Sequence, residues 1–292
     1  MPPGSDFQGT DRFEVLRRLG SGSFGSVYEA LDRSRGVRVA LKVPHDPEAR
    51  SLLRFKQEFR ALAEVSHPNL VSLFELVSSE GQWFFTMELL EGTDLYTALR
   101  ALPRPTESLQ ADLYLGPTSI GFEDPPTPPF PSASSWGVEG EVCLQPILMP
   151  SPVLAPDRLR RLFLQVAEGL RGLHGTGLLH RDLKPSNVLV TPEDRVVILD
   201  FGLAVPVLRS GQDGPEPVVG TPAYLSPELL DGAAGTEAGD WYSFGVMLFQ
   251  VLTGVLPFSG AFSEILRRKR EEEAPDPRRL VQGLPEDLIG LT

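Results

Sequence analysis

Two short polar segments constrain this chain more than any other part of it. His180-Arg181-Asp182-Leu183-Lys184-Pro185-Ser186-Asn187 offers a carboxylate, a cation two residues on, and a carboxamide three residues beyond that. Thirteen residues after Asn187, Asp200-Phe201-Gly202 adds a second carboxylate in a turn that ends on glycine. Alone, each of these residues is an ordinary polar group of a turn. Asp182, Lys184, Asn187 and Asp200 can act on one ligand only in a fold that gathers both loops around a common point. A group that orients a hydroxyl, a cation for a phosphate and two oxygen ligands for Mg²⁺ are what phosphoryl transfer from ATP requires.

The bulk properties allow such a fold. The 292 residues can bury a sizeable core as one large or two moderate domains. With 41% apolar and 23% charged residues, the composition is that of an ordinary soluble globular protein. A formal charge of −12 argues against a general nucleic-acid binder, because no excess of Lys and Arg can replace phosphate counterions. The single cysteine, Cys143, rules out an intramolecular disulfide and fits a reducing, cytoplasmic compartment. Met1-Pro2-Pro3-Gly4-Ser5-Asp6 lacks the basic start and apolar run of a secretory signal. Trp241 to Phe258 is uncharged and largely apolar, near the lower length limit for a membrane span. It contains Gln250, Gly254 and Pro257 and follows Asp240, a plausible N-cap, so it is expected as a core helix enclosed by protein. No membrane span is expected, and four histidines without a ligand-like pair give no zinc site.

Ahead of the catalytic segments the pattern is that of strands. Phe13-Glu14-Val15-Leu16 leads into Leu19-Gly20, and Val27-Tyr28-Glu29-Ala30-Leu31 resumes after a glycine-rich turn. Val37, Val39, Leu41 and Val43 then alternate with Arg38, Ala40 and Lys42, which puts Ala40 and Lys42 together on the opposite face. Leu52, Phe55, Phe59 and Leu62 recur at helical spacing around Glu58, ending before His67-Pro68. Two apolar runs follow, Leu70 to Leu76 and Trp83 to Met87. Five strands and one helix make a small antiparallel α+β unit over residues 11–90, with a mainly helical unit over 91–292.

Residues 101–156 differ in character. They hold twelve of the 28 prolines and six acidic residues against Arg104 alone, and show no sustained periodicity. They are expected as a disordered or loosely docked insert. Its tract 125–131 suits either a polyproline II ligand for a partner or a solvated spacer. Helical order returns with Leu159, Leu162, Phe163, Val166, Leu170 and Leu173, opened by Pro156-Asp157. Arg267-Arg268-Lys269-Arg270, followed by three glutamates, is read as a solvated helix face of mixed charge.

Two further motifs precede the catalytic ones. In Gly20-Ser21-Gly22-Ser23-Phe24-Gly25-Ser26-Val27, the glycines let backbone N–H groups approach phosphates. Dinucleotide-binding folds share these letters but open a helix with them, whereas here Val27-Tyr28-Glu29 continues as a strand. Val39-Ala40-Leu41-Lys42 places a lysine beside a small residue that leaves room for a flat ring. With Gly220-Thr221-Pro222-Ala223-Tyr224-Leu225-Ser226-Pro227-Glu228, these segments resemble the eukaryotic-type (Hanks-type) serine/threonine protein kinases, and the style is similar to bacterial members. The resemblance runs from about Asp11 to Thr292, apart from the insert.

That resemblance implies a bilobal α+β fold with ATP between the lobes and transfer of its γ-phosphate to Ser or Thr hydroxyls of protein substrates. Gly20, Ser21, Gly22, Ser23, Phe24 and Gly25 would cover the phosphates, and Lys42, paired with Glu58, would contact them. Glu64 is an alternative to Glu58 that fits the apolar phase less well. Leu19, Val27, Ala40 and Leu189 would sandwich the adenine, with Met87, Glu88 and Leu90 at the connecting strand. Asp182 would orient the acceptor hydroxyl, and Lys184 would neutralise the transferring phosphate. Asn187 and Asp200 would hold Mg²⁺ as hard oxygen ligands. Thr221 would bond Asp182 and Lys184, which implies Ser/Thr rather than Tyr acceptors. His180 and Phe201 would belong to an internal hydrophobic spine, and Asp240 would bond the catalytic-loop backbone. The competing reading is a catalytically silent binding module of the same fold.

Arg181 suggests control by phosphorylation of the loop before Gly220, where Ser210 is the only hydroxyl after Leu203 and could be modified in trans; the alternative is a kinase active without loop phosphorylation. The family usually pairs a glutamate at the position of Glu228 with an arginine near its last helices, but the arginines after Glu228 lie too early to match. The helical lobe is therefore read as truncated at its end, with Glu228 a buried carboxylate lacking its partner and the chain less stable than an extended one.

Overall fold

The computed structural model describes residues 7–22, 25–45, 49–79, 81–100, 155–200, 205–206 and 220–292. Ser23, Phe24, Phe201, Ser210, the side chain of Glu58 and residues 101–154 of the insert lie outside the described residues.

The first unit is the antiparallel sheet that the alternating patterns anticipate. Strands β1 (Phe13–Gly22), β2 (Gly25–Asp32), β3 (Val37–Pro44), β4 (Leu73–Ser79) and β5 (Gln82–Met87) run in the order β1-β2-β3-β5-β4, each antiparallel to its neighbours. The period of two divides β3 between its faces. Val39 and Leu41 join Phe7, Phe13, Tyr28, Ala30 and Phe84 in a buried cluster, while Ala40 and Lys42 are buried on the other face. Val37 departs from the pattern: it sits exposed at the start of the strand, beyond the cluster. Each aromatic ring enclosed here contributes about 1.5–3 kcal/mol of apolar burial.

Helix α1 (Ala49–Leu62) crosses this sheet, laying Phe55 and Phe59 on the ring of Phe85 with centroids 4.9 and 5.8 Å apart. The Leu70–Leu76 run forms a strand only from Leu73. The backbone of Asn69 to Val71 is engaged elsewhere: Ile198 N donates to Asn69 O at 2.9 Å and Val71 N donates to Ile198 O at 3.1 Å. Those bonds tie the sheet unit to the strand Val196–Ile198 of the second unit, and the buried Asn69 side chain adds one to Val196 O.

The second unit is mostly helical. After the connecting residues come β6 (Thr93–Asp94) and α2 (Leu95–Arg100), then α3 (Pro156–His174), which Pro156 opens as expected. Short strands β7 (Leu178–Leu179), β8 (Val188–Val190), β9 (Val196–Ile198) and β10 (Val205–Pro206) carry the site loops. Helices α4 (Pro227–Leu230), α5 (Glu237–Thr253), α6 (Phe262–Glu271) and α7 (Glu286–Ile289) complete the described chain. The apolar stripe of α3 meets Met247, Leu248 and Val251 of α5 in the main core.

Helix α5 is the buried helix anticipated from Trp241 to Phe258, displaced toward the N-terminus. Its N-cap is Thr236, whose Oγ1 accepts from Gly239 N, and Gly254 ends it at φ +86°. Asp240 lies in the first turn, and its carboxylate serves the catalytic loop instead of the helix end. No described helix is long and apolar enough to cross a membrane.

Candidate active site

The loop from His180 to Asn187 connects β7 to β8 and is held from below by Asp240. The carboxylate of Asp240 accepts from His180 N at 2.8 Å, Arg181 N at 2.9 Å and His174 Nε2 at 2.8 Å. Burial by itself would push this carboxyl up, but the bonds from His174 and the two amides, with His180 nearby, bring it below the usual carboxylate range. Arg181 has φ +66° and Asp200 has φ +56°, a region that costs a non-glycine residue about 1–3 kcal/mol unless its surroundings enforce it. At Arg181 that enforcement comes from Asp240, which holds the amides of His180 and Arg181. His180 is fully buried, accepts from Asp182 N at 3.3 Å through Nδ1 and faces Leu199 O at 3.1 Å through Nε2. An Nε2–H toward Leu199 O and an accepting Nδ1 suit both contacts and couple the catalytic loop to the residue before Asp200.

Around Asp182 the donors converge. Oδ1 accepts from the backbone N and the Oγ1 of Thr221, both at 3.0 Å. Oδ2 lies 2.8 Å from Lys184 Nζ and 3.2 Å from Asn187 Nδ2. Lys184 Nζ also donates to Thr221 Oγ1 at 2.9 Å, closing a triangle of Asp182, Lys184 and Thr221. The carboxylate is thereby fixed in orientation, which is the larger part of what it can give to hydroxyl activation. Sequence reasoning brought these residues together, and the structure places them in contact.

Lys42 Nζ forms an ion pair with Asp200 Oδ1 at 2.6 Å, with the lysine side chain buried and the aspartate a third exposed. Glu58 is on α1, the helix that packs against the sheet carrying Lys42, and its side chain is outside the described residues. Asn187 uses its amide nitrogen on Asp182 O and Oδ2, leaving its oxygen as the end suited to a cation. Leu199 N donates to Asn187 O at 2.8 Å, so Asn187 and Asp200 are held on neighbouring backbone. The described residues contain no group of three or more His, Cys, Asp or Glu placed to hold a metal ion. Two hard oxygen donors on separate loops fit Mg²⁺, which takes few protein ligands and completes its shell with phosphate and water.

The glycine-rich hairpin pairs Ser21 with Ser26 and Gly22 with Gly25. Gly25 has a steric reason to be glycine: a Cβ there would lie 2.4 Å from Val43 O. Gly20 faces open space, and Leu19 is exposed. Ala40 pairs with Met87 across β3 and β5, and Val27 pairs with Lys42. Gly92 brings the connecting segment against β8, where a Cβ would collide with Val190 O and Leu189 Cδ2. Leu90 packs on the main core. Glu88, named with the nucleotide residues, directs its side chain to Arg195, with Nη1 to Oε1 at 2.6 Å, and its N donates to Ser72 O, so its backbone carbonyl is what remains for a ligand.

At the far side, Gly220 approaches the catalytic loop at φ +120°, where a Cβ would sit 2.8 Å from Arg181 O. Ser226 is buried, with no hydrogen-bond partner for its Oγ among the described residues. Glu228 is exposed on α4. This corrects the expectation of a buried, partnerless carboxylate, because an exposed one keeps its hydration and incurs no such penalty. Sequence reasoning missed His174, the additional donor to Asp240, and Lys269, a buried cation inside what was read as a solvated patch. His174 is spaced with the apolar stripe of α3, which signals burial but not its partner.

A five-stranded antiparallel unit with one helix, a helical unit beneath it, and this set of loops between them define the bilobal α+β architecture of the protein kinases. The chain belongs to that family: residues 13–282 match the family described as protein tyrosine and serine/threonine kinase. It is 34% identical over 275 residues to serine/threonine-protein kinase pkn2 of Myxococcus xanthus, covering 91% of this chain and 27% of that protein. It is 30% identical over 282 residues to pkn3 of the same organism, covering 92% and 42%. It is also 27% identical over 280 residues to the probable kinase pknA2 of Bifidobacterium longum, covering 94% and 30%. The chain thus contains a protein kinase domain and spans less than half the length of these relatives.

Proposed function

We propose that this domain transfers the γ-phosphate of ATP to serine or threonine hydroxyls of proteins, including, in trans, a second copy of itself. The acceptor oxygen attacks the γ-phosphorus as the bond to the β–γ bridging oxygen breaks and ADP departs. Asp182 orients the acceptor hydroxyl and takes its proton, while Lys184 and Lys42 carry positive charge to the phosphates. Leu19, Val27, Ala40 and Leu189 enclose the adenine beside Met87, Leu90 and the backbone of Glu88. Gly20 to Gly25 cover the phosphates, and Glu58 steadies Lys42. Asn187 and Asp200 would hold Mg²⁺, which would supply charge neutralisation to the phosphates. The ion pair with Lys42 at 2.6 Å keeps the Asp200 carboxylate in place.

The observation that carries this reading is the triangle of Asp182, Lys184 and Thr221, with every separation between 2.8 and 3.0 Å. It presents one fixed carboxylate and one cation to a hydroxyl and a phosphate at a single point. Regulation by phosphorylation at Ser210, recognition of tract 125–131 by a partner, and a cytoplasmic setting belong to the same proposal. Phosphoamino-acid analysis after incubation with Mg-ATP and a mixed-sequence protein tests it. Phosphoserine and phosphothreonine are expected, and phosphotyrosine as the main product would overturn it.

A further inference from the structure

Beyond Thr221 the chain turns through Pro222, Ala223, Tyr224 and Leu225, with Ala223 and Leu225 buried. Buried backbone carbonyls need hydrogen-bond donors, and no strand or helix among the described residues pairs with this turn. Its four carbonyls are taken by two side chains. Lys269 Nζ on α6 donates to Pro222 O at 3.1 Å, Ala223 O at 2.9 Å and Leu225 O at 2.5 Å. Ser243 Oγ on α5 donates to Tyr224 O at 2.9 Å.

An ammonium has three hydrogens, and here each has its own carbonyl. Lys269 is 7% exposed, lies 4.9 Å from the ring centre of Tyr242 and has no carboxylate within ion-pairing distance among the described residues. Its neighbours contrast with it: Arg267, Arg268 and Arg270 are engaged with Glu271, Glu272 and Asp231 at the surface. Lys269 is the one basic residue of α6 turned inward.

We propose that Lys269 is a positioning residue for phosphoryl transfer: it pins the Pro222–Leu225 turn and so fixes both Thr221 and the surface that receives the acceptor peptide. This rests on the kinase reading above. The link to chemistry is short. Thr221 N and Oγ1 both bond Asp182, Tyr224 N bonds Thr221 O at 2.9 Å, and the next carbonyls belong to Lys269. A turn free to move would carry Thr221 off Asp182 and Lys184 and blur the acceptor surface, while the nucleotide residues on the sheet unit would keep their places. Burial draws the Lys269 ammonium down to about 8, and three carbonyl acceptors favour its charged form, so it is protonated at neutral pH.

The test compares wild type, Lys269→Met and Lys269→Arg in two assays. In hydrogen exchange, Lys269→Met should speed the described amides between 221 and 226 about tenfold, the scale of losing charge-assisted bonds, with core amides of α3 and α5 unchanged. In peptide phosphorylation, kcat/KM for the peptide should fall about tenfold while KM for ATP holds, and Lys269→Arg should restore most of both. Lys269→Gln, judged by the same exchange criterion, replaces Lys269→Met if that variant does not fold. Wild-type exchange at 221–226 in the uncharged variant would overturn the proposal. So would faster exchange across the whole helical unit with equal losses for ATP and peptide, since that marks general destabilisation. Absence of phosphorylation by wild type would count against the kinase reading alone, because the exchange assay reads the pin independently.

Discussion

At Thr221 a single hydroxyl accepts from Lys184 and donates to Asp182, and the residue's own amide reinforces the second bond. Ser226, five residues on, has the opposite standing. Its hydroxyl is buried without a partner among the described residues, and a lost hydration shell of that kind costs about 1–3 kcal/mol. Ser226→Ala is therefore expected to raise the midpoint of thermal unfolding by a few degrees without lowering activity, measured by calorimetry and phosphate transfer. The residue types of the site were legible in the sequence because their chemistry and spacing are so restrictive. Lys269 was not legible, because a lysine among arginines and glutamates carries no mark of which way it points. Only the packing of α6 under a turn with unsatisfied carbonyls distinguishes it.

On the scale of elements, α5 is the member that connects folding to chemistry. Its apolar residues fill the core against α3, and its first turn presents Asp240 to two amides and an imidazole. An asparagine there would set an NH₂ group against one of those donors. Asp240→Asn is expected to cost about 1–3 kcal/mol, read by urea unfolding, and to lower kcat more than the KM for ATP. Helix and strand identities followed from periodicity, as with Phe55 and Phe59 on α1 or Val39 and Leu41 on β3. Boundaries failed where distant backbone intervened. Leu70 and Val71 look like the start of β4 but are bonded to β9, and Asp240 looks like an N-cap but serves the catalytic loop.

Across the whole molecule, charge couples distant segments of the sheet unit. Arg12 donates to Asp32 and Glu75 at 2.6 Å each, and holds both carboxyls below the usual range, opposed in each case by burial. Groups lowered in the folded state add stability above their unfolded values, about pH 4, and that stability is lost as the pH falls through the folded values. Arg12→Met should lower the thermal midpoint at pH 7 by the equivalent of about 1–3 kcal/mol, tempered by the partial exposure of Arg12. The gap to wild type should narrow on acidification below about pH 4, where the carboxylates are protonated in the unfolded chain. A gap independent of pH would contradict the assignment. None of these pairings was visible in sequence order, because residues 12, 32 and 75 meet only through the sheet's strand order.

The central claim is that Asp182, Lys42 and their neighbours form a working phosphotransfer site. Labelled γ-phosphate transfer from Mg-ATP to a protein acceptor, measured for wild type, Asp182→Asn and Lys42→Met, tests it most directly. The account predicts transfer by wild type, abolished by chelating the metal, and a loss of about a hundredfold or more in each variant, the scale set by removing a positioned acid–base group. Transfer that survives both substitutions, or that wild type never performs, would contradict it.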